Sequence, residues 1–144
     1  MTYIETLGSN AVKVKKILAV ADTGKKNAAL AEISRALIEN SDKIIEANQK
    51  DLTAARENGM SVSMQDRLML NDDRIKGIAS AVDELIKLED PIGKVDNGSV
   101  RPNGMRITKI RVPMGVIGMI YESRPNVTAD AATLCLKTGN AVIL

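Results

Sequence analysis

The chain has 144 residues, 44% hydrophobic and 26% charged, with a net charge of +2. It is long enough for one domain with a real core, and its charge balance points neither to nucleic acid nor to a membrane surface. There is no His, Phe or Trp, and there are only two Tyr and one Cys, which excludes His-based acid–base or metal chemistry and an intrachain disulfide and requires an aliphatic core.

The N-terminus lacks the basic start and apolar run of a secretory signal. The longest apolar stretch, Val112 to Tyr121, is far short of the roughly 20 residues that cross a bilayer. A cytoplasmic protein is expected. The first ninety residues read as helices. Ile4, Leu7, Ala11, Val14, Leu18 and Ala21 recur at three- and four-residue steps and place one apolar face on a first helix, ended by Asp22-Thr23-Gly24. A second helix carries Ala29, Ile33, Ala36 and Leu37. Ser41 is positioned to cap a third, with Ile44, Ile45, Asn48, Leu52 and Ala55 on one face until Asn58-Gly59 stops it. Ser63 starts a short turn holding Leu68 and Leu70. Asn71-Asp72-Asp73 then caps a fourth long helix with the stripe Ile75, Ile78, Val82, Leu85 and Ile86, ended by Asp90-Pro91.

From Gly93 the period changes. Asp96-Asn97-Gly98 and Asn103-Gly104 are both turn signals. Val95, Val100, Met105, Ile107, Ile110 and Val112 alternate with polar residues and slip one step at Thr108-Lys109, which predicts an antiparallel hairpin with a bulge there. Its unpaired edge suggests a partner segment or subunit. Gly115 to Tyr121 is continuously apolar, as in a parallel strand buried on both faces. Val127, Ala131, Leu134, Cys135 and Thr138 have helical spacing, Gly139 stops that helix, and Ala141 to Leu144 reads as a second buried strand. The fold class is therefore α/β: N-terminal helices, an antiparallel hairpin, then a strand–helix–strand unit that is expected to continue into more sheet.

The segment most able to carry chemistry is the strand-to-helix turn Tyr121-Glu122-Ser123-Arg124-Pro125-Asn126. Ligands collect at the carboxyl ends of parallel strands. Free N–H groups at the helix start can hold an anion or a developing oxyanion, and Arg124 can grip a carboxylate or phosphate with two prongs. The bland alternative is that Ser123 or Asn126 only caps the helix while Arg124 makes a surface ion pair. Gly115-x-x-Gly118 lies inside the strand and lacks a third glycine, so it reads as close backbone packing rather than a dinucleotide fingerprint. Cys135 sits on an apolar helix face without an activating base and reads as a buried structural thiol. No metal site is expected. The lysine-rich first 26 residues and the basic stretch 94–111 lack interleaved aromatics, so they read as solvated faces or the rim of an anion site, and nucleic acid is not expected as a partner.

From Arg101 to Leu144 the sequence RPNGMRITKIRVPMGVIGMIYESRPNVTADAATLCLKTGNAVIL closely resembles the γ-glutamyl phosphate reductase family of the aldehyde dehydrogenase superfamily, N-terminal part only, and the segments NQKDLTAARENGMS and RLMLNDDRI fit the same family. The resemblance implies an NADPH-dependent glutamate-5-semialdehyde dehydrogenase of proline biosynthesis, with γ-glutamyl phosphate as substrate and a cysteine nucleophile that is absent from these residues. It implies three parts: 1–92 as the helical portion of a cofactor-binding domain, 93–112 as an oligomerisation hairpin, and 113–144 as the start of an aldehyde-dehydrogenase-like dinucleotide-binding sheet. Carried to this chain, Ile120, Tyr121, Glu122 and Ser123 line the cofactor and Asn126 holds the oxyanion; Arg124 and Ser123 are candidates for contacting substrate on the reading of the turn itself, Arg124 through a carboxylate or phosphate. A homo-oligomer is implied, and the kinase of the preceding step is a candidate partner. These 144 residues alone are expected to lack activity. The competing reading is a non-catalytic self-association or binding module built from the helices and the hairpin.

Overall fold

In the computed structural model, which describes residues 2–122 and 124–144, five helices precede a hairpin and a strand–helix–strand unit. The helices are α1 (Tyr3–Leu18), α2 (Thr23–Glu39), α3 (Ser41–Glu57), α4 (Val62–Leu68) and α5 (Asp72–Lys87). They are followed by β1 (Val95–Val100), β2 (Arg106–Ile110), β3 (Val116–Gly118), α6 (Pro125–Lys137) and β4 (Ala141–Ile143). Caps explain the helix starts. Thr2 and Glu5 form a reciprocal capping box on α1, Asp22 accepts from the Lys25 amide, and Asn71 accepts from the Arg74 amide. Two expected starts shift. Asn40, not Ser41, is the N-cap of α3, and α4 starts after Ser61 rather than at Ser63.

The core lies where α2, α5 and α6 meet. Leu30, Val82 and Leu85 are buried together with Ile86 and Leu136 against them, and Leu70, Ile75 and Ile78 form a second cluster with Leu37, Ile44, Ile45 and Ala129. The α3 and α5 stripes are the ones read from the sequence. The α2 face is rotated from the expected one: its buried residues are Lys26, Leu30 and Ser34. Both polar members have partners, since Lys26 pairs with Asp90 and the Ser34 hydroxyl donates to the Ala79 carbonyl at 3.2 Å. Apolar periodicity finds greasy residues, not buried ones, so it misses polar groups whose hydrogen bonds lie in other elements. On α6, Leu134 is exposed while Thr133 and Lys137 are buried.

β3 and β4 pair in parallel, Val116 opposite Ala141 and Gly118 opposite Ile143. Asn140 sets this register. Its Oδ1 accepts from the Gly115 amide at 2.8 Å, its Nδ2 donates to Thr138, and the following Ala141 amide donates to the Gly115 carbonyl. Gly139 ends α6 at φ 69°, and a Cβ there would meet Pro113 Cγ at 3.0 Å and the Leu18 carbonyl at 3.2 Å. Glycine is thus required twice over, by backbone hand and by space. The expected close packing at Gly115 and Gly118 is not found. A Cβ on Gly118 meets nothing within 4 Å, and Gly115 answers to its φ of 117° rather than to a neighbour. Nor is β3 buried on both faces: Val116 and Ile117 are half-buried and Gly118 is exposed.

β1 and β2 form the expected antiparallel hairpin, turned at 101–105 with Gly104 at φ 83°. Asn97-Gly98, expected as a second turn, lies inside β1. The register shift falls at Val95/Asn97 rather than at Thr108-Lys109. The skipped residue, Asp96, turns its carboxylate to Arg111 Nε at 2.8 Å, which accounts for the bulge on that strand. Every residue of both strands is exposed.

Candidate functional site

β3 is too short to carry its apolar run to Tyr121. After Gly118 the chain leaves the sheet, with a last bond from the Met119 amide to the Ile143 carbonyl at 3.0 Å, and α6 starts at Pro125. Residues 119–122 and Arg124 therefore lie in the connection at the carboxyl end of β3, as the sequence requires of a ligand-facing turn. Pro125 suits the first helical position because it has no N–H to leave unpaired. Arg124 is the N-cap residue, yet a guanidinium has no acceptor to offer the first-turn amides. The positive end of α6 is thus left without a side-chain cap from that residue, and it is open to an anion.

Three cavities surround this turn. The first, about 500 Å³, is lined by Asp66, Arg67, Arg74, Arg124, Pro125, Asn126 and Asp130 together with apolar residues of α5. The second, about 350 Å³, is lined by Met64, Arg67, Tyr121, Glu122, Arg124 and Val127. The third, about 590 Å³, lies at the carboxyl ends of both parallel strands and is lined by Gly118, Met119, Ile120, Tyr121, Ile143 and Leu144. The turn thus has a charged side toward α4 and α5, with three arginines and three carboxylates, and an apolar side at the strand ends.

The residues singled out from the sequence fall as follows. Arg124 is exposed and lines both polar cavities. Asn126 lines the first and donates one amide hydrogen to Asp130 Oδ2 at 3.2 Å, leaving its second for a ligand. The Tyr121 hydroxyl and Thr128 Oγ1 are 2.6 Å apart, a bond that ties the turn to α6. Glu122 lines the second cavity, and the Ile120 side chain is fully exposed at the mouth of the third. Ser123 lies outside the described residues. Cys135 is buried, and burial pushes its thiol up from its ordinary pKa, the opposite of activation.

The sequence reading missed Arg67 and Arg74. They lie in RLMLNDDRI, a stretch read for its helix signals and its family resemblance and not for a site, and only the fold brings these two residues to a cavity that Arg124 also lines. Arg74 is committed to holding α4 in place: it bonds the Asp66 and Met69 carbonyls and reaches the Asp66 carboxylate at 2.8 Å. Arg67 and Arg124, by contrast, take part in no ion pair among the described residues. The segment after Arg67 is also fixed from α3. Buried Asn48 donates to the Leu68 carbonyl at 2.9 Å and accepts from the Leu70 amide at 2.7 Å. Asn48→Ala is expected to cost about 1–3 kcal/mol, the penalty for leaving a buried amide and carbonyl unpaired. Urea unfolding checks this, and a variant as stable as wild type would mean the two groups find other partners.

No family model matches the chain. Curated relatives do. The chain is 51% identical over 141 residues to gamma-glutamyl phosphate reductase of Colwellia psychrerythraea, covering 98% of this chain and 34% of that protein. It is 56% identical over 137 residues to the protein of the same name from Clostridium perfringens, covering 95% and 33%. Two crystal structures of gamma-glutamyl phosphate reductase superpose on it. The Thermotoga maritima protein gives a TM-score of 0.95 at 42% identity, covering 98% of this chain and 34% of that one. The Saccharomyces cerevisiae protein gives 0.94 at 34% identity, covering 100% and 37%. The chain spans about one third of the length of the curated relatives it matches, and it is homologous to their amino-terminal part.

Proposed function

We propose that this chain, homologous to the amino-terminal third of gamma-glutamyl phosphate reductases, forms the substrate-facing turn of an NADPH-dependent reductase that converts γ-glutamyl phosphate to glutamate 5-semialdehyde in proline biosynthesis. The observation that carries this reading is the turn at the carboxyl end of β3, where Arg124, Asn126 and the start of α6 converge on one cavity of about 500 Å³.

Each residue has a stated part. Arg124 and the first turn of α6 receive the phosphoryl oxygens, because a planar guanidinium and a helix start both favour such an anion. The free amide hydrogen of Asn126 donates to the carbonyl oxygen as negative charge develops on it. The attacking thiolate is assigned to residues outside this span, since Cys135 is buried with a raised pKa. Bound NADPH supplies the hydride that reduces the acyl carbon. The apolar cavity formed by Gly118, Met119, Ile120, Tyr121, Ile143 and Leu144 suits a flat ring at the strand ends, while no cation lines it to hold the cofactor's phosphates. Glu122 lines the neighbouring cavity of about 350 Å³. The hairpin, exposed on every residue, suits pairing with a second subunit.

A chimera tests this. The chain replaces the matching third of the Thermotoga maritima reductase, and NADPH oxidation is followed with γ-glutamyl phosphate. The chimera is expected to turn over, and the 144 residues alone are not. Arg124→Ala in the chimera is expected to lower kcat/KM by about thirtyfold, or about 2 kcal/mol, the loss of a charged hydrogen bond to substrate. Unchanged kinetics would remove Arg124 from substrate binding, and turnover by the isolated chain would place the nucleophile within it.

A further inference from the structure

We infer that Arg67 is a specificity-determining residue that receives the α-carboxylate of the substrate, so that α4 reads the amino-acid end while Arg124 and α6 hold the phosphoryl end. This rests on the reading proposed above and deepens it. Three observations carry it. Arg67 lines both polar cavities, as Arg124 does, so two arginines from different elements, α4 and the residue that precedes α6, border the same two cavities. Neither is in an ion pair among the described residues, although Asp66 and Asp130 line the first cavity. Those two carboxylates are occupied, Asp66 by Arg74 and Asp130 by the Asn126 amide. Two like charges that border the same cavities repel each other, and a ligand with an anionic group at each end relieves both.

The placement of Arg67 is also built rather than incidental. Arg74 holds the Asp66 and Met69 carbonyls on either side of it, and Asn48 holds Leu68 and Leu70 just beyond. The backbone that presents an exposed side chain is thus fixed from two separate helices, which a purely solvated arginine does not need. Assignment of the two ends follows from the surroundings. Arg124 adjoins the start of α6, whose partial positive charge favours the phosphoryl group. Arg67 shares the second cavity with Glu122, which is in no ion pair among the described residues, and a guanidinium with a carboxylate in one cavity complements an α-carboxylate beside its ammonium.

Binding to the chimera described above, followed by calorimetric titration, tests this with two probes. One is the methylene phosphonate analogue of γ-glutamyl phosphate. The other is acetonylphosphonate, which keeps the carbonyl and phosphonate but has no amino-acid end. Arg67→Gln is expected to weaken the first probe by about tenfold or more and to leave the second nearly unchanged, whereas Arg124→Gln weakens both. Arg67 is exposed and in no ion pair among the described residues, so melting temperatures are expected to match wild type. Equal weakening of both probes by Arg67→Gln would reduce Arg67 to background charge and overturn the inference. So would no weakening of either while Arg124→Gln still acts, a result that leaves the proposed function standing. If the unaltered chimera binds neither probe, the proposed function fails together with the inference.

Discussion

Asp90→Asn is expected to lower folding stability by about 3–5 kcal/mol, the typical effect of removing one partner of a buried ion pair. The Lys26 ammonium is almost fully buried, and its partner is the Asp90 carboxylate at the end of α5. Asp90 also accepts from Thr23 Oγ1 at 2.8 Å and from the Ile92 amide at 3.0 Å. An asparagine keeps the shape but has one acceptor oxygen, so it can still accept from the Ile92 amide while its NH2 group cannot accept from Thr23. It leaves Lys26 charged in the interior with no counter-charge. The pair also carries a pH signature. Burial pushes the Asp90 carboxyl up, but the bonds from Lys26, Ile92 and Thr23 outweigh it and hold the group below its ordinary value. A carboxyl depressed in the folded state stabilises the protein above its unfolded value of about 3.9, and that contribution is lost as pH falls through the folded value. Urea unfolding between neutral pH and pH 3 is therefore expected to show a steep acid loss that is reduced in Asp90→Asn. An unchanged slope would assign acid sensitivity to other carboxylates.

The second large effect is expected at Lys137. This side chain is 2% exposed, and its ammonium donates to Asn27 Oδ1 at 2.8 Å and to the Ile86 carbonyl at 3.1 Å. Ile86 lies in the last turn of α5, so the cation sits at the negative end of that helix and joins α2, α5 and α6 at one point. Lys137→Ala removes the donors and leaves a cavity where the stem was, and about 3–5 kcal/mol is expected. Lys137→Met fills most of the space and leaves only the two acceptors unpaired, for about 1–3 kcal/mol. The difference between the variants in denaturant unfolding separates packing from hydrogen bonding. A methionine variant as stable as wild type would mean that both acceptors find other donors.

These two lysines mark the boundary of what the sequence makes legible. The α3 and α5 faces, the caps at Asn71 and Asp22, the stop at Gly139 and the strand–helix–strand order all follow from local signals, because each depends on neighbours within a turn or two. Lys26 and Lys137 look like ordinary surface charges. Their burial depends on Asp90 and on Asn27 with Ile86, residues 64, 110 and 51 positions away. Asn97-Gly98 shows the converse: a strong local turn signal is overridden once β1 pairs through it with β2. In the site, Arg124 and Asn126 were visible because the strand-to-helix turn is a continuous motif. Arg67 and Arg74 were not, because they come to the turn through the packing of α4 and α5, which no spacing rule encodes.

The β1–β2 ribbon has an evolutionary corollary. No side chain on it is buried by the helical body, so exchanging one surface residue for another there changes folding free energy little. Mutational drift in the ribbon is then nearly uncoupled from drift in the core. Whatever meets those two strands, and not the stability of the fold, sets the pace at which their sequence can change.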